Sequence, residues 1–201
     1  MKKNNYCTLY VTRHGETQWN IQGKVQGHTD SPLTREGVKQ AKNLALEFKN
    51  IKFDAVYSSD LLRAKRTAEI ATLEHKLTIE TTEALRERSF GKYEGSNKKV
   101  LDLLEELRDK NIPYETENIE NDENLTERII TFLREVAIAY PNKTILILTH
   151  GGVLVSLLLH LGFLTREQMR QYHVGNTSYI KLVCNGVDFF IKETKRIDKR
   201  V

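Results

Sequence analysis

The chain has 201 residues, 39% hydrophobic and 29% charged, and its 31 basic against 27 acidic side chains give a formal net charge of +4. That length supports one well-formed core and needs no second domain. The positive excess is mild and dispersed, which allows an anionic ligand, and the basic stripe with interleaved aromatics that a nucleic-acid binder needs is missing.

The start, MKKNNYCTLYVTRH, is basic, but Arg13 breaks its apolar run before any cleavage-site pattern, so no signal peptide is read. YCTLYVT (6–12) is rich in β-formers and predicts a strand buried on both faces. A helical pattern follows from Thr34 through Leu33, Val38, Ala41, Leu44, Ala45 and Phe48. FDAVYSS (53–59) predicts a second strand, and DLLRAKRTAEIATL (60–73) a helix that Ser59 or Asp60 would cap. KLTIE (76–80) predicts a short third strand and TILILT (144–149) a fourth. The apolar run 153–164 has 12 residues, too short to cross a bilayer, and reads as a buried helix behind the double glycine. SYIKLVC, Asn185-Gly186 and VDFFIKE predict a hairpin with a tight primed turn, leaving the basic tail KETKRIDKRV as a frayed, solvated end. Residues 96–128 differ in composition: a charged amphipathic helix, then an acidic, asparagine-rich loop. This segment is expected to be a cap insertion in a single domain spanning 1–201. Cys7 and Cys184 form no CxxC or zinc-spaced cluster and predict two reduced thiols, consistent with a cytoplasmic protein.

Strands alternating with helices predict a three-layer α/β/α sandwich with a mostly parallel sheet and a small helical cap. In such sheets ligands gather beyond the carboxyl ends of the strands. Arg13 and His14 follow the first strand, Ser58, Ser59 and Arg63 the second, and His150 the fourth. Two histidines and two arginines therefore come to one rim, and this composition suits cleavage of a phosphate monoester. The two arginines offer bidentate forks for phosphoryl oxygens. A neutral His14 can attack phosphorus, its imidazolium being disfavoured by the neighbouring cations. Gly15 permits close backbone approach and a carbonyl to orient the ring. A protonated His150 would add a second imidazole donor. The proton for the leaving oxygen calls for a carboxylic acid near this nest, and Glu87 and Glu94 in ALRERSFGKYEG are equal candidates on residue type alone. No P-loop glycines, no HxxxH and no magnesium-binding acidic pair beside the arginines are present, so neither a metal nor an organic cofactor is expected.

These residues fall into five ordered blocks: Arg13, His14, Gly15, Glu16, Thr17, Trp19 and Asn20; Asp30, Pro32, Leu33, Thr34 and Gly37; Ser58 to Ala68; Leu85, Glu87, Gly91, Glu94 and Gly95; and Thr149 to Gly152. In this the chain resembles the histidine phosphatase superfamily, in the branch holding the cofactor-dependent phosphoglycerate mutases and their phosphatase relatives. The resemblance implies that His14 is phosphorylated, that Glu87 rather than Glu94 donates the proton, and that Arg13, Arg63 and His150 clamp the phosphoryl group. It implies substrate contacts from Asn20, Gln26, Gly27, Gly151 and Asn176, whereas His28, His75, His160 and His173 match nothing catalytic. Three positions depart from the family pattern: Lys24 for an arginine, Tyr93 for a tryptophan, and Ile119-Glu120-Asn121 for a glycine-glutamate-serine element. The expected activity is metal-independent hydrolysis of a small phosphorylated metabolite, with mutase activity as the alternative. The short cap with its acidic stretch 115–127 favours hydrolysis, because a mutase must hold a second anionic group. A phospholigand-binding protein without turnover would have lost the nucleophile, the acid or the second histidine, and all three are present. Neither a nucleic acid nor a membrane is an expected partner, and a homodimer is compatible with the sequence.

Overall fold

The computed structural model describes residues 5–110 and 118–200. Six strands form one sheet in the order β3-β2-β4-β1-β5-β6: β1 (Cys7–Arg13), β2 (Ala55–Ser59), β3 (Ile79–Thr82), β4 (Thr144–Thr149), β5 (Tyr172–Cys184) and β6 (Phe189–Lys199). The first four run parallel, β5 is antiparallel to β1, and β6 antiparallel to β5. Among the described residues seven α-helices accompany them: α1 (Gln18–Ile21), α2 (Arg35–Phe48), α3 (Leu62–Ala71), α4 (Lys99–Asp109), α5 (Asp122–Ala139), α6 (Gly151–His160) and α7 (Arg166–Met169).

The three layers follow from alternation along the central strands. Leu9, Val11, Ile145 and Ile147 face the apolar sides of α5 and α6, whereas Tyr10, Leu146 and Leu148 pack with Leu44 and Phe48 of α2 and Ala68 and Ala71 of α3. The helix expected from Thr34 starts with that residue as N-cap, its hydroxyl accepting from Gly37 N. The cap of α3 differs from expectation. Neither Ser59 nor Asp60 closes it; the Asp30 carboxylate accepts from Leu62 N at 2.7 Å and Arg63 N at 3.4 Å, while Asp60 is engaged by Arg86. A cap from 32 residues away leaves no local signature. The third strand begins later than 76 because Lys76 takes φ 55° in a turn.

The carboxyl-terminal hairpin is longer than expected, and the tail is not frayed. A four-residue connection replaces the two-residue turn: Cys184 pairs with Phe189, and Asn185 Oδ1 accepts from Val187 N and Asp188 N. Beyond a register shift between Val174 and Tyr179, Tyr172, His173 and Val174 pair with Lys199, Asp198 and Ile197. Thr177 and Arg196 take positive φ, both at 54°, beside this irregularity, which hides the continued alternation. The cap expected over 96–128 holds α4 and the first turns of α5; residues 111–117, like 1–4 and 201, lie outside the described residues. Among the described residues no helix is long and apolar enough to cross a membrane.

Burial of Ile197 tests the extended strand. Ile197→Ala costs about 2 kcal/mol or more, as for other buried isoleucines, measured by denaturant unfolding. A change within about 0.5 kcal/mol, typical of an exposed site, would restore the frayed tail.

Candidate active site

Sheet register builds the site. Arg13 lies opposite Thr149 in the parallel β1–β4 pair, so the next residues, His14 and His150, leave the sheet side by side. Their ring centroids are 5.2 Å apart. Ser58 lies opposite Leu148 on the other flank of β4, which brings the start of α3, and Arg63, to the same rim.

His14 is 3% exposed and its Nδ1 lies 2.7 Å from Gly15 O. A carbonyl can only accept, so Nδ1 carries the proton and Nε2 keeps its lone pair. The backbone here is also fixed: Gly15 N donates to Thr67 Oγ1, and His14 O accepts from Thr177 N and Asn176 Nδ2. Burial first, then the charges of Arg63 and Arg13, hold the His14 imidazole well below the ordinary histidine value. Burial, Arg63 and His14 act the same way on His150. The imidazolium form of His150 is thereby disfavoured, and a neutral ring has one N–H to offer. Among the described residues neither of its nitrogens has a partner.

Arg63 is 1% exposed. Its Nη1 donates to Asp30 Oδ1 and Thr29 O, both at 3.0 Å, and its Nη2 to Gly27 O at 2.6 Å. Arg13 Nη1 donates to Val174 O. Burial brings Arg13 down to about 10, with Glu87 opposing and Arg63 adding to the effect, so the guanidinium stays charged at neutral pH. The Nε atoms of both arginines are buried and, among the described residues, unpartnered. Three of the side chains that meet here, Arg13, Arg63 and His150, thus keep buried donors to spare, a state that a buried site tolerates poorly without an anion.

The two carboxylates have different surroundings. Glu87 lines the same cavity as His14, its Oε2 accepting from Gly152 N at 3.0 Å and its Oε1 from Arg88 N at 2.9 Å. Its carbonyl is held by Arg128 and by His28 Nε2, a structural use of a histidine that matches nothing catalytic. Glu94 accepts from His28 N, Thr29 N, Thr29 Oγ1 and Phe90 N. Burial pushes its carboxyl up, but these bonds outweigh it and hold it low, so Glu94 is an ionised clip for the 26–30 loop.

A cavity of about 780 Å³ receives Arg13, His14, Asn20, Gln26, Gly27, Arg63, Glu87 and Gly151. Asn176 does not line it; its amide donates to His14 O and Asn20 Oδ1. His150 sits behind His14, fully buried. Gln26 Oε1 accepts from Thr17 Oγ1, and Lys24 lies over the Trp19 ring at 5.6 Å. Residue pattern alone missed Asp30 as the partner of Arg63 and Gly152 as the donor to Glu87, although both stand inside quoted motifs. Among the described residues no group of three or more His, Cys, Asp or Glu side chains is placed to hold a metal ion.

Known proteins resemble this chain in sequence and fold. The uncharacterized phosphatase PhoE of Bacillus subtilis is 41% identical over 152 residues, covering 75% of this chain and 75% of its own. The structure of a phosphoglycerate mutase from Bacillus anthracis superposes with a TM-score of 0.79 at 29% identity, over 94% of this chain and 92% of its own. A phosphoserine phosphatase from Entamoeba histolytica, in complex with 3-phosphoglyceric acid, superposes at 0.80 with 27% identity, over 94% and 96%. The model of the histidine phosphatase superfamily (branch 1) matches residues 9–196, and the chain belongs to that family.

Proposed function

We propose that the protein hydrolyses small phosphomonoesters through a phosphohistidine on His14, without a metal or organic cofactor. The observation that carries this reading is the contact of His14 Nδ1 with Gly15 O, which leaves Nε2 its lone pair in a cavity that Arg13 and Arg63 also line, with the His150 ring 5.2 Å away. The Nε2 lone pair forms the bond to phosphorus as the ester P–O bond breaks. The departing oxygen takes its electron pair and a proton from the Glu87 carboxylic acid. Water then attacks the phosphoryl group and gives a proton to the Glu87 carboxylate, and the P–N bond electrons return to Nε2. Arg13, Arg63 and one N–H of His150 bear the charge spread over the phosphoryl oxygens. Asn20, Gln26, Gly27 and Gly151 contact the substrate, and Asn176 acts through the His14 carbonyl. Cys7 and Cys184 as free buried thiols fit a cytoplasmic setting. Likeness to a protein titled phosphoglycerate mutase supports a second reading, transfer between two hydroxyls.

Phosphate release from a panel of monoesters in EDTA, beside isomerisation of 3-phosphoglycerate, separates the two readings. His14→Ala lowers release by a factor of about 10³ or more and abolishes the acid-labile phosphoenzyme; release persisting with the phosphoenzyme would end the proposal. Glu87→Gln slows an alkyl phosphate about 10²-fold or more but p-nitrophenyl phosphate much less, since that leaving group needs little protonation. Equal losses would remove Glu87 from the role. Because burial and the arginines depress its pKa, the His14 ring stays neutral and Nδ1-protonated as pH falls through the ordinary histidine range. Ring ¹⁵N shifts at pH 6 read this directly, and an imidazolium there would contradict it.

A further inference from the structure

The cavity is far larger than the phosphoryl nest at its base. Its volume of about 780 Å³ lies in the range that encloses drug-sized molecules, roughly 300–1,000 Å³. A phosphate on a three-carbon chain fills only the inner part. Beyond the nest the lining is mixed, and part of it is a set of aliphatic and aromatic side chains. Leu101 and Leu104 of α4 stand on one side, Val155 and Leu159 of α6 and Met169 of α7 on the other, with Phe90 at the edge. All but Leu104 are half-buried; Val155 and Met169 also pack against the core, and the apolar surface the set leaves uncovered lines the cavity.

The cations at the mouth are largely engaged elsewhere. Arg88 pairs with Asp122, which also takes Arg166 at 2.9 Å, and Arg170 pairs with Asp109 at 2.6 Å. These pairs tie α4, α5 and α7 around the apolar walls. Lys98, His173 and Arg200 line the same cavity nearer Arg13, whose charge acts on both Lys98 and His173. A substrate with a second acidic group would have to use that side.

Building on the hydrolysis reading, we infer that the phosphomonoester carries a bulky apolar alcohol, seated between α4 and the α6–α7 wall while its phosphate occupies the nest. Apolar surface continuous with the nest gains free energy only by covering the same kind of surface on the leaving group. The attraction is non-directional, so the class recognised is an alkyl or aryl phosphate rather than one exact molecule.

The test is a series of straight-chain alkyl phosphates from propyl to hexyl, whose leaving oxygens are chemically equivalent, with 3-phosphoglycerate alongside. The native protein's kcat/KM rises up to about fourfold per methylene, the transfer value of a buried CH₂, and at least about tenfold from propyl to hexyl. The matching alkylphosphonates, which cannot be hydrolysed, show the same trend in Kd by calorimetry. Leu101→Gln with Leu159→Gln brings both hexyl-to-propyl ratios towards one. A flat series, or 3-phosphoglycerate preferred over hexyl phosphate, would overturn the inference. Phosphonate affinities that climb with chain length while no ester is hydrolysed would uphold the apolar subsite and sink the hydrolysis reading instead. The calorimetric series on the native protein keeps the test decisive if the double variant does not fold.

Discussion

Burying Arg63 is the constraint on which the rest of the site depends. A guanidinium only 1% exposed must find partners, and three oxygens from the 27–30 loop supply them: Gly27 O, Thr29 O and Asp30 Oδ1. The same carboxylate closes the amino end of α3 through Leu62 N and Arg63 N. One side chain thereby caps a helix, neutralises part of a buried charge and aims a fork. Because both Nη atoms of Arg63 are committed to protein oxygens, the Nε edge is left for a ligand. Preorganisation of this kind means little reorganisation when charge arrives. Burial beside two guanidiniums also disfavours the charged form of both imidazoles, since a third and fourth positive charge in the same low-dielectric volume would be repelled strongly.

Glycines set how closely the elements can approach. A Cβ on Gly152 would lie 2.3 Å from Glu87 Oε1, and one on Gly37 would lie 2.0 Å from Glu16 O. The first allows the start of α6 to donate a backbone N–H directly to the Glu87 carboxylate. The second lets α2 press against the segment just after His14, where Thr34 Oγ1 also donates to Glu16 Oε1. Side chains at these positions would push Glu87, or the loop that carries His14, away from the nest. Their spacing in sequence therefore records a packing distance.

The layers and the site differ in how far they can be read without coordinates. The continuous apolar stretch in TILILT and the apolar run behind His150 state their structure locally, and the parallel order of β1 and β4 then forces His14 and His150 together. The Glu87–Glu94 ambiguity is of another kind: both are glutamates in one short segment, and what separates them is four hydrogen bonds to Glu94 from residues 28, 29 and 90. Long-range partners of that sort leave no periodic trace. Asp30 capping a helix from 32 residues away is invisible for the same reason, as is the second half of the final hairpin. There, residues with left-handed backbone, Thr177 and Arg196, break the two-residue rhythm that would have announced the strand.

The acidic content of the cap acquires a specific use once its partners are known. Glu120 takes Arg128 through both oxygens, at 2.6 and 2.8 Å, and Arg128 in turn donates to the carbonyls of Ala84 and Glu87. Asn121, next in the chain, caps α5 by accepting from Asn124 N. Ile119-Glu120-Asn121 thus braces the glutamate segment from behind, despite departing from the family pattern. Asp122 spans Arg88 and Arg166 in the same way. These acids consume arginines that would otherwise face the cavity mouth, lowering its capacity to grip a second anion. On that side they leave the aliphatic surface between α4 and α6 open, while Lys98, His173 and Arg200 stay on the side nearer Arg13. Acidic residues in this cap therefore do not simply repel an anionic substrate; by pairing with Arg88 and Arg166 they lessen the cationic character of the wall where the apolar seat is proposed.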